Sequence, residues 1–245
     1  MLTIVIPMAG HGSRFCAAGY RDPKPLIDVG GQPMIQRVIR NLTPDQPHRF
    51  VFICQASHLA EYGLRERLSD WAPGCVIVST EGVTEGAACT VLLARDYIVV
   101  GPLMIANSDQ YLDIDINAYL SACDAAPDGL IMTMKADDPK WSFVSQNADG
   151  WVTRVVEKEV ISDEATVGIY NFSQGADFVR AAEEMISRGL RVNGEFYVAP
   201  VYNLMIERGA RIGVFNVEEA GGVMHGLGTP ADLNAFLALG EGVLK

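Results

Sequence analysis

The sequence predicts an α/β chain, a three-layer sandwich with helices on both faces of a mixed, mostly parallel sheet. Two observations predict it. Short aliphatic and β-branched runs alternate with amphipathic runs up to Met134, the pattern of strands joined by crossover helices. After Met134 the runs are separated by polar turns such as Asn147-Ala148-Asp149-Gly150, which reads as an antiparallel insertion. No linker-like tract or internal repeat interrupts the chain, so 1–245 is read as one domain, divided at 134/135 into two halves.

In order, Thr3–Pro7 reads as a buried strand followed by a glycine-rich loop. Met34–Leu42 is helical, with apolar residues at 34, 35, 38, 39 and 42. Phe50–Cys54 is a strand, Leu59–Leu68 a helix, Val76–Ser79 a strand and Gly86–Tyr97 a helix. Leu103–Ala106 is a strand, Ile116–Cys123 a helix and Leu130–Met134 a strand. Phe143–Val144, Val152–Val156 and Val167–Phe172 form the antiparallel group. Ala176–Arg188 is a helix stopped by Gly189, and Val198–Arg208 a helix stopped by Gly209. Arg211–Val217 is a late strand, and Pro230–Leu239 a helix with proline near its start.

Composition narrows the function. A net charge of −11, from 19 Lys plus Arg against 30 Asp plus Glu, argues against a groove tracking a nucleic-acid backbone. A small anionic ligand needs only a few local cations and backbone N–H groups. The five cysteines are scattered without metal-ligand spacing and read as reduced thiols of a cytoplasmic protein. The N-terminal residues lack the pattern of a signal peptide, and no apolar run reaches the ~18 residues of a membrane span.

Chemistry concentrates after the first strand, in Ala9-Gly10-His11-Gly12-Ser13-Arg14 and Asp22-Pro23-Lys24-Pro25-Leu26. Glycines there let the backbone approach a ligand and turn N–H groups toward it, as phosphate cradles do. Arg14 adds a planar fork suited to phosphate oxygens and Lys24 a mobile point charge. The loop matches neither the Walker A pattern nor the dinucleotide fingerprint. Asp109, just past Leu103–Ala106, stands where ligands enter the crevice of a parallel sheet, and its carboxylate suits Mg²⁺.

The string Gly10-x-Gly12-Ser13-Arg14…Pro23-Lys24-Pro25-Leu26 resembles the signature of the sugar-1-phosphate nucleotidyltransferases, whose sheet is a GT-A-like Rossmann-type sandwich. Pro7-Met8-Ala9-Gly10…Gly19-Tyr20 resembles a branch from bacterial capsule and surface-polysaccharide synthesis. The resemblance implies that Ala9, Gly10, Gly12 and Ser13 hold an NTP, with Arg14 and Lys24 on the reacting phosphates. It implies nucleobase contacts from Gly86 and Ala87 and Mg²⁺ on Asp109. The acceptor sugar phosphate would meet Glu157, Lys158, Gly168, Tyr170, Asn193 and Glu195. Residues 1–134 would then bind nucleotide and 135–245 the acceptor, in a monomer or small homo-oligomer. One departure stands out: Gly226, in His225-Gly226-Leu227-Gly228-Thr229-Pro230, replaces a second metal-binding acid. Either Asp109 suffices or another group substitutes.

The implied reaction is attack of a sugar-phosphate oxygen on the α-phosphorus of an NTP, releasing pyrophosphate. A glycosyltransferase on the same fold is the competing reading, with Asp113-Ile114-Asp115 as a metal-binding DxD, although Asp115 equally suits a helix cap. A nucleotide-sensing module without catalysis is the third.

Overall fold

The computed structural model describes residues 1–240, so the last residues of the expected 1–245 domain, 241–245, lie outside the described residues. The chain runs β1 (Leu2–Pro7), α1 (Ser13–Ala17), a 3₁₀ turn (Lys24–Leu26), α2 (Met34–Leu42), β2 (His48–Gln55), α3 (Ala56–Glu61), α4 (Leu64–Trp71) and β3 (Val76–Thr80). It continues through α5 (Ala87–Leu92), α6 (Arg95–Ile98), β4 (Leu103–Ala106), β5 (Gln110–Leu112), α7 (Ile116–Ala122) and β6 (Gly129–Lys135). Then come β7 (Ser142–Gln146), β8 (Val152–Glu157), β9 (Glu164–Phe172), α8 (Gly175–Ser187), α9 (Val201–Ile206), β10 (Ile212–Asn216), β11 (Met224–Gly226) and α10 (Pro230–Leu237).

The main sheet has the order β10-β6-β9-β4-β1-β2-β3, with the β7–β8 hairpin attached beside β9. Strands β4, β1, β2 and β3 run parallel, and β9 runs antiparallel between β4 and β6. This is the predicted mixed sheet. On β1, Ile4 and Ile6 join one apolar core and Val5 the other, the alternation of a strand covered on both faces. One core takes Ile35, Val38, Ile39 and Leu42 of α2, each at most 1% exposed; burying such a side chain stabilises the fold by about 1.5–3 kcal/mol. The opposite core takes Phe178, Ala181 and Met185 of α8. A third cluster joins Phe15, Ile27 and Met34 to Leu227, Leu233 and Phe236, fixing α10 against the N-terminal loop.

Several elements differ from the sequence reading for local reasons. The helix expected over Leu59–Leu68 is two helices, because Gly63 takes a left-handed φ of 58° between them. The helix expected over Gly86–Tyr97 begins after Gly86, whose φ is 133°, and breaks between Leu92 and Arg95. The helix expected from Val198 starts only at Val201, after Pro200. The antiparallel group is a hairpin plus a strand, β9, that enters the main sheet itself. Strands β5 and β11, three residues each, pair antiparallel apart from the main sheet.

Candidate active site

Strand connections diverge at β1, with β2 on one side and β4 on the other. At such a switch point the loops leaving two neighbouring strands open a crevice over their carboxyl ends. The loop after β1 and the turn after β4 meet there, bringing Lys24 and Asp109, 85 residues apart in sequence, into an ion pair. Lys24 is held from below: Pro25 and Leu26 are buried, and the Leu26 amide donates to the Pro23 carbonyl at 2.8 Å. Gly12 has φ 61°, and a Cβ there would lie 3.0 Å from the Lys24 Cβ, so its missing side chain lets the loop close on Lys24. A Cβ on Gly10 would meet nothing within 4 Å. The fold makes no steric demand for that glycine.

Three cavities join along the crevice. The first, about 400 Å³, is lined by Ala9, Gly10, Ser13, Thr84, Gly86, Ala87 and Glu195. The second, about 210 Å³, holds Arg14, Asn107, Asp109, Lys140, Trp141, Lys158 and Asp232. The third, about 270 Å³, is walled by Trp141, Ser142, Glu157, Thr166, Gly168, Tyr170 and Tyr197. Ala87 lines the first and third, and Asn107, Lys140 and Trp141 line the second and third. A larger cavity of about 580 Å³ around Arg37, Asn41 and Asp115 shares none of these residues. Its polar groups are already bonded: Arg37 to the Val29 and Gly30 carbonyls, and Asn41 to both backbone groups of Leu112.

The third cavity is prebuilt. Ser142 Oγ donates to Glu157, whose carboxyl burial pushes above the usual range against that hydrogen bond. Thr166 Oγ1 and the Tyr170 hydroxyl lie 3.0 Å apart. Gly168 sits in the middle of β9 with φ 81°, where the pairing register with β6 shifts. A Cβ on it would lie 2.1 Å from Asn107 Nδ2, so this bulge exists to seat the Asn107 amide. Lys158 is left-handed at φ 60°, an uncommon state for a non-glycine residue, and its ammonium donates to the Tyr197 hydroxyl at 2.7 Å. That bond raises the Lys158 pKa.

Other expected residues fall differently. Glu195 lines the first cavity, not the third. Asn193 and Gly194 form a tight turn closed by the Val192–Glu195 bridge, and the Asn193 φ of 48° is what such a turn demands. Gly86 has an internal reason to be glycine, since a Cβ would lie 2.4 Å from the Phe196 carbonyl oxygen. His225 packs between Tyr111 and Phe236, and burial lowers its pKa. Asp115 accepts from the Asn117 amide at 2.9 Å as the cap of α7, so the Asp113-x-Asp115 pair stands outside the crevice.

Sequence reasoning missed Asn107, Lys140, Trp141, Ser142 and Asp232. Only the Asp138-Pro139-Lys140-Trp141 turn carried a trace, a cation beside a large aromatic. A Cβ on Gly226 would lie 3.9 Å from Asp232 Cγ and 4.0 Å from Trp141 Cη2, in ordinary contact with the two side chains that flank it. Among the described residues no three metal-ligating side chains converge. Asp109 and Asp232 both line the second cavity, one paired with Lys24 and the other accepting from the Thr229 hydroxyl at 2.6 Å. Mg²⁺ takes one or two protein carboxylates and completes its shell with water and substrate phosphates, so a ligand that frees these two would give it a place.

An elongated crevice over the carboxyl ends of parallel strands, entered by a glycine-rich loop with Arg14 and Lys24, is the architecture of α/β nucleotide-handling proteins. The nucleotidyl transferase family model matches residues 4–192, and the chain belongs to that family. The chain is 31% identical over 227 residues to the bifunctional protein GlmU of Heliobacterium modesticaldum, covering 86% of this chain and 46% of that one. It is 26% identical over 177 residues to the mannose-1-phosphate guanylyltransferase catalytic subunit beta of Drosophila melanogaster, covering 69% of this chain and 47% of that one. It thus spans about half the length of the curated relatives it matches. The crystal structure of a nucleoside-diphosphate-sugar pyrophosphorylase from Vibrio cholerae superposes with a TM-score of 0.78 at 26% identity, over 96% of this chain and 99% of that one. No helix among the described residues is long and apolar enough to cross a membrane.

Proposed function

We propose that the chain transfers a nucleoside monophosphate from an NTP to a sugar 1-phosphate or related phosphorylated small molecule, releasing pyrophosphate. The observation that carries this reading is the continuity of the crevice: the prebuilt polar cavity shares Ala87 with the glycine-lined cavity and Asn107, Lys140 and Trp141 with the charged centre. Similarity to the Drosophila guanylyltransferase subunit and the Vibrio pyrophosphorylase supports the same chemistry. In this reading residues 1–134 supply most of the nucleotide side and the later chain most of the acceptor side. The N-terminal signature further suggests a product destined for bacterial surface polysaccharide. The free cysteines accord with work in the cytoplasm.

The acceptor phosphate is already an anion, so its oxygen attacks the α-phosphorus without a protein base. The new P–O bond forms as the bond to the β-phosphate oxygen breaks, and pyrophosphate leaves. Ala9, Gly10, Gly12 and Ser13 cradle the triphosphate, with Gly86 and Ala87 beside the base. Arg14 and Lys24 offset the charge developing on the transferred and leaving phosphates, the kind of electrostatic effect that dominates such reactions. Lys24 has to move from Asp109 toward the phosphates for this, exposing that carboxylate. Asp109 and Asp232 would hold Mg²⁺, which supplies further charge neutralisation when bound. Lys158, anchored on Tyr197, faces the acceptor phosphate, while Glu157, Gly168 and Tyr170 receive the acceptor's hydroxyls. Asn193 and Glu195 border this region from their turn.

A pyrophosphate-release screen of NTPs against sugar 1-phosphates and phosphorylated alcohols tests the proposal. One pair is expected to yield pyrophosphate and nucleotidylated acceptor in equal amounts. Release of nucleoside diphosphate from a nucleotide sugar, with no pyrophosphate from any pair, would overturn it.

A further inference from the structure

Resting on the transfer reading, the position of the acceptor's phosphate follows from connectivity. The acceptor body occupies the walled cavity, and its phosphate has to reach the charged centre that contains Arg14 and Asp109. It therefore passes the boundary, and the residues common to both cavities are Asn107, Lys140 and Trp141. Only Lys140 among them carries a charge. We propose that Lys140 grips the acceptor's phosphate, with the Trp141 ring holding its ammonium over the join between the two cavities.

Three observations favour Lys140 for this task. Its ammonium lies 5.0 Å from the centroid of the Trp141 ring, a cation–π placement that gives a flexible side chain a direction. Its carboxylate partner, Asp138, is 3.4 Å away with side chains 54% and 52% exposed, a pair that water and a phosphate compete with readily. Lys158, by contrast, is tied to the Tyr197 hydroxyl at 2.7 Å and lies over that ring at 4.9 Å. The two lysines then divide the work, Lys158 as a fixed charge on the reacting centre and Lys140 as a mobile one that follows the acceptor in.

Gly226 lies beside this ring, and a Cβ there would be in ordinary contact with Trp141 Cη2 at 4.0 Å.

The test reads phosphate directly as well as turnover. The five lysines are ¹³C-methylated, which keeps their charge, and the Lys140 signal is assigned by its loss in Lys140→Arg. Titration with inorganic phosphate is expected to move the Lys140 signal saturably; a stationary Lys140 signal while another lysine shifts overturns the assignment. In steady state, Lys140→Ala is expected to raise the acceptor KM about tenfold or more, as loss of a charge-assisted contact does. The NTP KM stays within about twofold, and Lys140→Arg recovers most of the loss. An unchanged acceptor KM, or both KM values rising together, counts against Lys140. If the unmodified protein releases no pyrophosphate with any pair, the transfer reading fails, and the phosphate titration still decides the role of Lys140.

Discussion

The loop after β1 and the wall formed by β7, β8 and β9 face each other across one crevice but are built in opposite ways. The loop comes from one contiguous stretch, and Gly10, His11, Ser13 and Arg14 are exposed. Its principal cation, Lys24, is neutralised by Asp109 rather than aimed at an empty space. The wall is assembled from three consecutive strands, a hairpin and the strand beside it. Ser142, Glu157, Thr166, Gly168 and Tyr170 are buried, and the Ser142–Glu157 and Thr166–Tyr170 pairs are already bonded. A region whose charges are offset within the protein is one that a multiply charged ligand would have to reorganise. A region whose hydrogen bonds are satisfied is rigid and selects by shape. In the proposed reading the first would take the triphosphate and the second the acceptor.

The largest expected effect comes from breaking the loop. Lys24→Ala or Arg14→Ala should lower kcat by about two to three orders of magnitude, as removal of one preorganised charge-stabilising group does in other enzymes. Thermal unfolding should move little for Arg14→Ala, since that side chain is exposed. Pyrophosphate release is the measurement, and near-normal turnover in both variants would remove the loop from the reaction.

This contrast also explains what could be read beforehand. The loop was legible because its glycines, Arg14, Lys24 and Pro25 are neighbours in sequence and follow a strand. Asp109 is legible as a candidate because it follows an apolar strand at the switch point. Lys140, Trp141 and Asp232 were not, since only tertiary packing brings the β6–β7 connection and the C-terminal helix α10 to the centre. Strands β5 and β11 are too short for any periodicity to declare itself. The single helix expected over Leu59–Leu68 fails at Gly63, whose left-handed turn leaves the apolar spacing nearly intact.

The next effect sharpens the rigidity of the wall. Gly168→Ala places a Cβ 2.1 Å from the Asn107 amide nitrogen in a backbone that disfavours any side chain. The strained conformation alone costs about 1–3 kcal/mol, and Asn107 must leave its seat. Lower thermal stability is expected, with a raised acceptor KM and a nearly unchanged NTP KM. If both KM values rise equally, the wall and the loop are not separable in the way their construction suggests.

The smallest effect is the most discriminating between reactions. Asp115 caps α7 by accepting from the Asn117 amide at 2.9 Å and stands apart from the crevice. Asp115→Ala should therefore cost about 0.5–2 kcal/mol of stability, the usual loss of an aspartate cap, and leave pyrophosphate release intact below the unfolding temperature. Asp115→Ser, which restores a capping oxygen without a carboxylate, should recover most of that stability. In a glycosyltransferase using Asp113-Ile114-Asp115 as its metal-binding pair, both substitutions would abolish turnover, because serine restores the cap and not the charge. The pair of variants thus separates a helix cap from a catalytic carboxylate at a position where the sequence alone allowed either.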